Sequence, residues 1–166
     1  MIEKERKATS IPTWIGKYPF SPKEKKPVTI TKDMELSTLY GFEGTQVESQ
    51  IFVSTDKITF SDWTLPPGAR IEPPGLHNYG DELYYFLEGD PIAFNPEEGE
   101  VYQLHAGDAL LIPQGTRHQI FNFTHKKIHA LSVVAPRVWV EDAIGTRIPP
   151  VKKPKFYKGQ LRGSKK

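Results

Sequence analysis

The sequence predicts an all-β protein with a single antiparallel barrel or sandwich. Two observations lead to this: short runs of β-branched and aromatic residues, and turn residues that separate those runs at intervals of roughly 8 to 12 positions. A third is that no convincing helical periodicity occurs before residue 136, and no internal repeat indicates a second barrel. A chain of 166 residues is long enough to bury a core of its own.

Eight segments have the strand pattern, and turn chemistry such as Pro66-Pro67-Gly68 and Glu88-Gly89-Asp90 lies between them. They are 50–54, 58–65, 83–87, 91–94, 101–104, 109–112, 119–123 and 128–134. The predicted organisation is therefore an N-terminal arm over 1–45, a barrel over 46–136 and a basic C-terminal tail over 137–166. The arm has an apolar group that we expect to pack on the barrel or on a partner subunit: Ile11, Trp14, Ile15, Tyr18 and Phe20.

The formal net charge of +2 conceals a strong asymmetry. Residues 34–142 contain six basic and sixteen acidic residues, whereas residues 143–166 contain eight basic residues and no acid. The basic ends bind an anion such as nucleic acid, or they lie across the acidic body of their own or a neighbouring subunit or are merely solvated. We expect no nucleic-acid binding, because neither end contains a recognisable nucleic-acid-binding module.

The composition also indicates the cellular compartment and restricts the residues that could bind a metal. The chain has no cysteine, which excludes a disulfide scaffold and thiolate ligands, so any metal must be held by His, Asp or Glu. The first residues are charged and no apolar run approaches 18 residues. We therefore expect no signal peptide and no membrane span, and a cytoplasmic location.

One stretch reads as strand, tight turn and strand, with a histidine opening the second strand. Its spacing is G-x5-P-x-G-x2-H-x3-N, formed by Gly107, Pro113, Gly115, His118 and Asn122. Proline cannot donate to a sheet ladder and ends the first strand, while the glycines allow the backbone to reverse.

A second motif lies upstream, where His77, Glu82 and Gly89 follow one another in Gly-Leu-His-Asn-Tyr-Gly-Asp-Glu-Leu-Tyr-Tyr-Phe-Leu-Glu-Gly. Together the two stretches resemble the two motifs of the cupin superfamily over about residues 68–123. The resemblance implies a double-stranded β-helix, or jelly-roll, barrel that binds a divalent metal. Matched position by position, it implies His77, Glu82 and His118 as metal ligands. The family's first histidine falls on Gly75.

This departure leaves two alternatives. Either Gly75 vacates a position, so that two histidines and one carboxylate form an open site of the kind used by non-haem Fe(II) enzymes, or the site has degenerated and the barrel binds its ligand without metal. We favour the first, because an inward glutamate with two inward histidines is hard to leave unpaired. Fe or Mn is the expected metal, with Ni or Zn as alternatives. A shifted register would make His77 the first histidine and Tyr79 its partner.

The alternation of side chains along each strand predicts further residues on the inner face of the barrel. Counting from Glu82 places Tyr84 and Phe86 on the inner face, and counting from His118 does the same for Ile120 and Asn122. For the strand 58–65, either Phe60 or Trp63 should help to wall the cavity. Glu82 and Tyr84 are the candidate catalytic residues, and the candidate substrate ligands are Arg70, Tyr79 and Trp63.

The expected function is that of a small metal-dependent enzyme. It would be a dioxygenase, an isomerase or epimerase, or a lyase that acts on a small oxygen-rich metabolite. The alternative is a non-catalytic barrel that binds a sugar or metabolite. Since barrels of this kind commonly pair through an edge strand or an arm, we expect a homodimer.

Overall fold

A computed structural model of the chain describes residues 17–18, 25–40, 46–55, 57–78, 80–136 and 155–158. Every regular element among these residues is a β-strand, and none of them forms a helix of the length and apolarity needed to cross a membrane. The strands are β1 (Lys17–Tyr18), β2 (Leu36–Tyr40), β3 (Val47–Thr55), β4 (Thr59–Leu65), β5 (Asp81–Glu88), β6 (Ile92–Asn95), β7 (Glu100–Gln103), β8 (Ala109–Ile112), β9 (Gln119–Phe121), β10 (Ile128–Ala135) and β11 (Lys155–Lys158).

The strands form two antiparallel sheets. The larger has the order β11-β2-β3-β4-β10-β5-β8, with β1 also paired to β3, and the smaller has the order β7-β6-β9. Trp63 and Phe86 from the larger sheet and Ala93 and Ile120 from the smaller one belong to a single buried cluster. The two inner faces therefore enclose one core, as predicted for a jelly-roll barrel.

Side chains alternate between the core and the outside along each strand. In β5, Glu82, Tyr84 and Phe86 are buried whereas the residues between them are exposed. In β4, Trp63 faces the core with 4% of its surface exposed, and Phe60 lies on the opposite face. The predicted inward parity of β5 is confirmed, and for β4 it is Trp63 that lines the interior.

All eight predicted strands are present, and the structure adds strands where arms were expected. β1 and β2 lie within the segment 1–45, and β11 lies within the segment 137–166, yet all three pair into the larger sheet. Of the predicted apolar group in the arm, only Tyr18 falls among the described residues. β2 pairs with the neighbouring strand β3 and also with β11 from the other end of the chain, and the local sequence carries no signal of that second pairing.

Asn122, the last residue of the motif that begins at Gly107, joins the end of β4 to the loop that follows β9. Its Nδ2 donates to the carbonyl oxygens of Leu65 at 3.1 Å, Pro66 at 3.0 Å and Lys126 at 2.7 Å. Its Oδ1 accepts from the backbone N–H and the hydroxyl of Thr124. Because the residue is fully buried, no water can replace these bonds.

Asn122→Ala is expected to lower the free energy of unfolding by about 3 kcal/mol, since it leaves several carbonyls without their donor, at about 1–3 kcal/mol for each buried group. Asn95→Ala is the matched control. The side-chain Oδ1 of Asn95 accepts only from the exposed N–H groups of Glu97 and Glu98. Its cost should stay below about 1 kcal/mol. Urea denaturation measures both, and equal losses would contradict the role given to Asn122.

Candidate metal centre

Three side chains from separate segments meet inside the barrel. His77 precedes β5, Glu82 is the second residue of β5, and His118 immediately precedes β9. His77 Nε2 lies 2.6 Å and His118 Nε2 lies 3.0 Å from Oε2 of Glu82. One donor atom from each residue lies within 4.8 Å of the other two. The structure thus brings together the three residues that the motifs singled out.

The Glu82 carboxylate is held from both sides. The Ser132 hydroxyl, on the neighbouring strand β10, donates to Oε1 at 2.6 Å. Oε2 is buried and accepts no aligned hydrogen bond, although both imidazole nitrogens lie close to it. Burial alone would raise the pKa of Glu82, but the proximity of His77 and His118 outweighs burial, and the pKa lies well below its ordinary value. The group is therefore a carboxylate at neutral pH.

His118 is oriented by its second ring nitrogen. Nδ1 lies 3.3 Å from the carbonyl oxygen of Thr116, and a carbonyl can only accept, so Nδ1 bears the hydrogen. In the neutral ring this leaves the Nε2 lone pair directed at the site. The Tyr84 hydroxyl lies 3.4 Å from the same Nε2, and the His77 ring stacks on the His118 ring with centroids 5.4 Å apart.

Gly75, at the position of the family's first histidine, makes room for His118. The two backbones pair: Gly75 N donates to His118 O at 2.7 Å, and His118 N donates to Gly75 O at 3.0 Å. A Cβ on residue 75 would lie 2.4 Å from His118 Nε2, well inside van der Waals contact. The space that a side chain at residue 75 would need is thus occupied by the His118 ring.

A cavity of about 290 Å³ reaches His118. It lies between residues 93–95 of β6 and residues 110–112 of β8, with Tyr102, Pro113 and Thr116 also on its wall. None of its lining residues is a lysine, arginine, aspartate or glutamate. A ligand in this cavity would meet mainly apolar side chains and would approach the site at His118.

Of the other predicted site residues, Tyr84 and Trp63 are buried and Arg70 is exposed. Tyr84 is buried beside His118, and Trp63 packs edge-on to Tyr84 with ring centroids 5.3 Å apart. Within the described part of the chain, the buried Trp63 Nε1 has no hydrogen-bond partner. Arg70 faces solvent, its side chain 56% exposed, with Nε 2.6 Å from Glu72 Oε2. Tyr79 lies outside the described residues, and the substrate roles of all three candidate ligands stay predictions.

Sequence reasoning missed two parts of the site. Ser132 is the one polar residue among the inward positions of β10, where Ile128, Ala130 and Val134 are the others. Strand parity could have identified it. The close approach of Gly75 to His118 had no such signal, because it depends on a pairing between residues far apart in sequence.

Comparison with known families agrees with this geometry. Residues 61–134 match the model of the cupin domain family. The chain contains a cupin domain. The matched part covers β4 to nearly the end of β10 and includes His77, Glu82 and His118. No curated protein sequence matches the chain.

Solved structures are similar in fold to this chain. The TT1209 protein from Thermus thermophilus is 26% identical, with a TM-score of 0.50 over 55% of this chain and 84% of that one. A predicted oxalate decarboxylase from Thermotoga maritima is 22% identical, with a TM-score of 0.56 over 66% and 99%. A Klebsiella pneumoniae protein with a double-stranded β-helix domain is 21% identical, with a TM-score of 0.53 over 69% and 92%.

The donor set of this cupin fits a divalent cation. When His118 is neutral, its Nε2 and the Glu82 Oε2 are both acceptors, and two acceptors 3.0 Å apart repel unless a proton or a cation lies between them. Two imidazoles and one carboxylate are the ligands typical of non-haem Fe(II) sites, and imidazole also suits Zn and Ni.

Gly75→His, which restores the family's histidine, is expected to weaken metal binding rather than to add a fourth ligand. The new side chain must displace the His118 ring, and disturbing the support of a metal ligand typically costs about 10- to 100-fold in metal affinity. Competition with a chromogenic chelator measures the affinity. Tighter binding in the variant would show instead that residue 75 is a vacated ligand position.

Gly68→Ala is the control for stability effects. Gly68 has a φ of 71°, so alanine is strained there, yet nothing lies within 4 Å of the added Cβ. We expect a loss of about 1 kcal/mol in unfolding free energy with unchanged metal affinity.

Proposed function

We propose that this cupin is a small metal-dependent enzyme that binds one divalent ion through His77, Glu82 and His118 and acts on a small oxygen-rich metabolite. The observation that supports this best is the convergence of three donor atoms within 4.8 Å around a buried carboxylate oxygen that accepts no aligned hydrogen bond. Fe or Mn is the proposed metal, with Ni or Zn as alternatives.

At such a site, some residues of the protein would orient the metal ligands and another would donate a proton. Ser132 fixes Oε1 of Glu82 and turns Oε2 toward the two histidines. Thr116 fixes the His118 tautomer through Nδ1. A carboxylate held in this way serves better as a ligand than as a mobile base. For the catalytic role we propose Tyr84, whose buried hydroxyl lies 3.4 Å from His118 Nε2 and would donate a hydrogen bond or a proton to a ligand oxygen at the site.

The ion, when bound, supplies Lewis acidity or oxygen activation at positions that the protein leaves open. The cavity beside His118 has room for a small ligand, and its apolar wall would exclude water from the rest of that molecule. Three reaction classes are compatible with this arrangement: dioxygenase, isomerase or epimerase, and lyase. The position of Tyr84 favours an enzyme over a barrel that only binds its ligand.

Metal analysis by inductively coupled plasma mass spectrometry tests the site. Untagged wild-type protein reconstituted anaerobically with Fe(II), Mn(II), Ni(II) or Zn(II) should retain about one equivalent of at least one of these ions. His118→Ala and Glu82→Ala should each retain almost none, because two protein ligands from a set of three bind metal weakly.

Two variants serve as controls for that measurement. His129→Ala removes a histidine that pairs with Asp62 at 2.8 Å on the opposite face of the sheet. Tyr84→Phe removes a hydroxyl beside the site but no ligand. Both should keep the metal. No metal in the wild type under any of these conditions would refute the proposal and favour a barrel that binds a sugar or metabolite without metal.

A further inference from the structure

The cavity beside His118 lies at the seam between the two sheets. β8 is the last strand of the larger sheet, and among the strands that the structure describes it pairs only with β5. Residues of β6 and β7, from the smaller sheet, face it across the cavity. Because no ladder of hydrogen bonds joins these described strands across the seam, the side chains there determine which molecules reach His118.

The cavity has an exposed mouth and a buried floor. At the mouth, Tyr102 and Leu111 are 40% and 61% exposed. At the floor, Ala93, Ile112 and His118 are all buried. Since His118 belongs to the candidate metal centre, a ligand that binds the metal would have one end at the floor and the remainder along the wall of the cavity.

The polar groups of the wall are largely bonded to the protein itself. Oδ1 of Asn95 accepts from two backbone N–H groups of the turn that follows β6. The Tyr102 hydroxyl donates to the carboxylate of Glu100. The described lining residues include no arginine or lysine that could pair with a phosphate or a second carboxylate on the ligand. The wall therefore offers little to a strongly polar molecule.

The rest of the described wall is apolar and large enough for a ring. Its apolar members are Ala93, Phe94, Leu110, Leu111, Ile112 and Pro113. A cavity of about 150 Å³ with an apolar lining accommodates one benzene molecule. A volume of about 290 Å³ thus has room for a benzene-sized ring together with the short chain that would connect it to the metal centre.

We propose that the substrate has two unlike ends: a carboxylate or hydroxy-carbonyl group that reaches the metal centre, and an apolar group about the size of a phenyl ring that lies in the cavity. The oxygen-bearing end rests on the function proposed above, whereas the apolar end rests on the cavity alone. Sugars and sugar phosphates fit poorly, because their hydroxyl and phosphate groups would lose water without finding partners on this wall.

Isothermal titration calorimetry with three acids tests the ligand class. Lactate and 3-phenyllactate share a hydroxy-carboxylate end and differ by one phenyl group, and gluconate has a polyol in place of that group. Wild type loaded with a divalent ion that it retains should bind 3-phenyllactate at least about 10-fold more tightly than lactate, because one methylene in an apolar pocket is already worth about 10-fold or more. The inference is overturned if 3-phenyllactate binds no more tightly than lactate, or if gluconate binds most tightly.

Ala93→Leu fills the cavity from its floor. It should abolish the preference for 3-phenyllactate and leave the metal content and the affinity for lactate unchanged, because residue 93 is not a proposed ligand. A variant that binds its metal and keeps the full preference would contradict the inference.

Leu111→Asn changes the exposed mouth and does not disturb the buried core. It should weaken 3-phenyllactate binding roughly 3-fold or more, since leucine surface that the ring would cover is lost. Leu87→Asn is the matched control, because Leu87 is 43% exposed on β5 and does not line the cavity. An equal loss of affinity in both variants would refute the assignment of the ring to this cavity.

Saturation-transfer difference NMR on metal-free protein separates this inference from the proposed function. The probe is 3-phenyl-1-propanol, which has the ring but no metal-binding acid. Its aromatic protons should receive saturation from the wild type and much less from Ala93→Leu. A wild type that gives this signal but retains no metal would refute the proposed function and leave the cavity assignment standing. A metal-binding wild type that gives no signal, or the same signal as Ala93→Leu, would overturn the inference.

Discussion

The buried carboxylate of Glu82 is the group that the rest of the site must satisfy. A carboxylate removed from water is costly unless it is paired and hydrogen-bonded. Here Ser132 contributes one hydrogen bond to Oε1, and the two imidazoles lie against Oε2. The pairing brings together residues from β5, β10 and the segments before β5 and β9. The site and the closure of the barrel therefore support each other.

Gly75 shows how backbone geometry sets the number of ligands. Its N–H and carbonyl pair with those of His118, so the two chain segments approach closely at the site. The approach leaves no room for a side chain at residue 75, because a Cβ there would meet the His118 ring. The glycine at the family's first histidine position therefore agrees with the position of the His118 ring. This backbone accommodates a donor set of three residues.

Much of the fold and the donor set could be predicted because both have local signals. The two motifs singled out His77, Glu82 and His118 as ligands, and the two-residue period placed Tyr84 and Asn122 on the inner faces. Ser132 also had a signal in its strand parity. The parts that could not be predicted depend on distant pairings: β2 pairs with β11 from the other end of the chain, and the role of Gly75 follows from its contact with His118.

X-ray absorption spectroscopy at the metal K edge identifies the atoms around a bound ion. In the metal-loaded wild type we predict scattering from two imidazole rings and otherwise from light oxygen ligands. In His118→Ala, any residual bound metal should have one imidazole fewer. A wild-type spectrum without imidazole scattering would place the metal elsewhere on the protein and contradict a site formed by His77, Glu82 and His118.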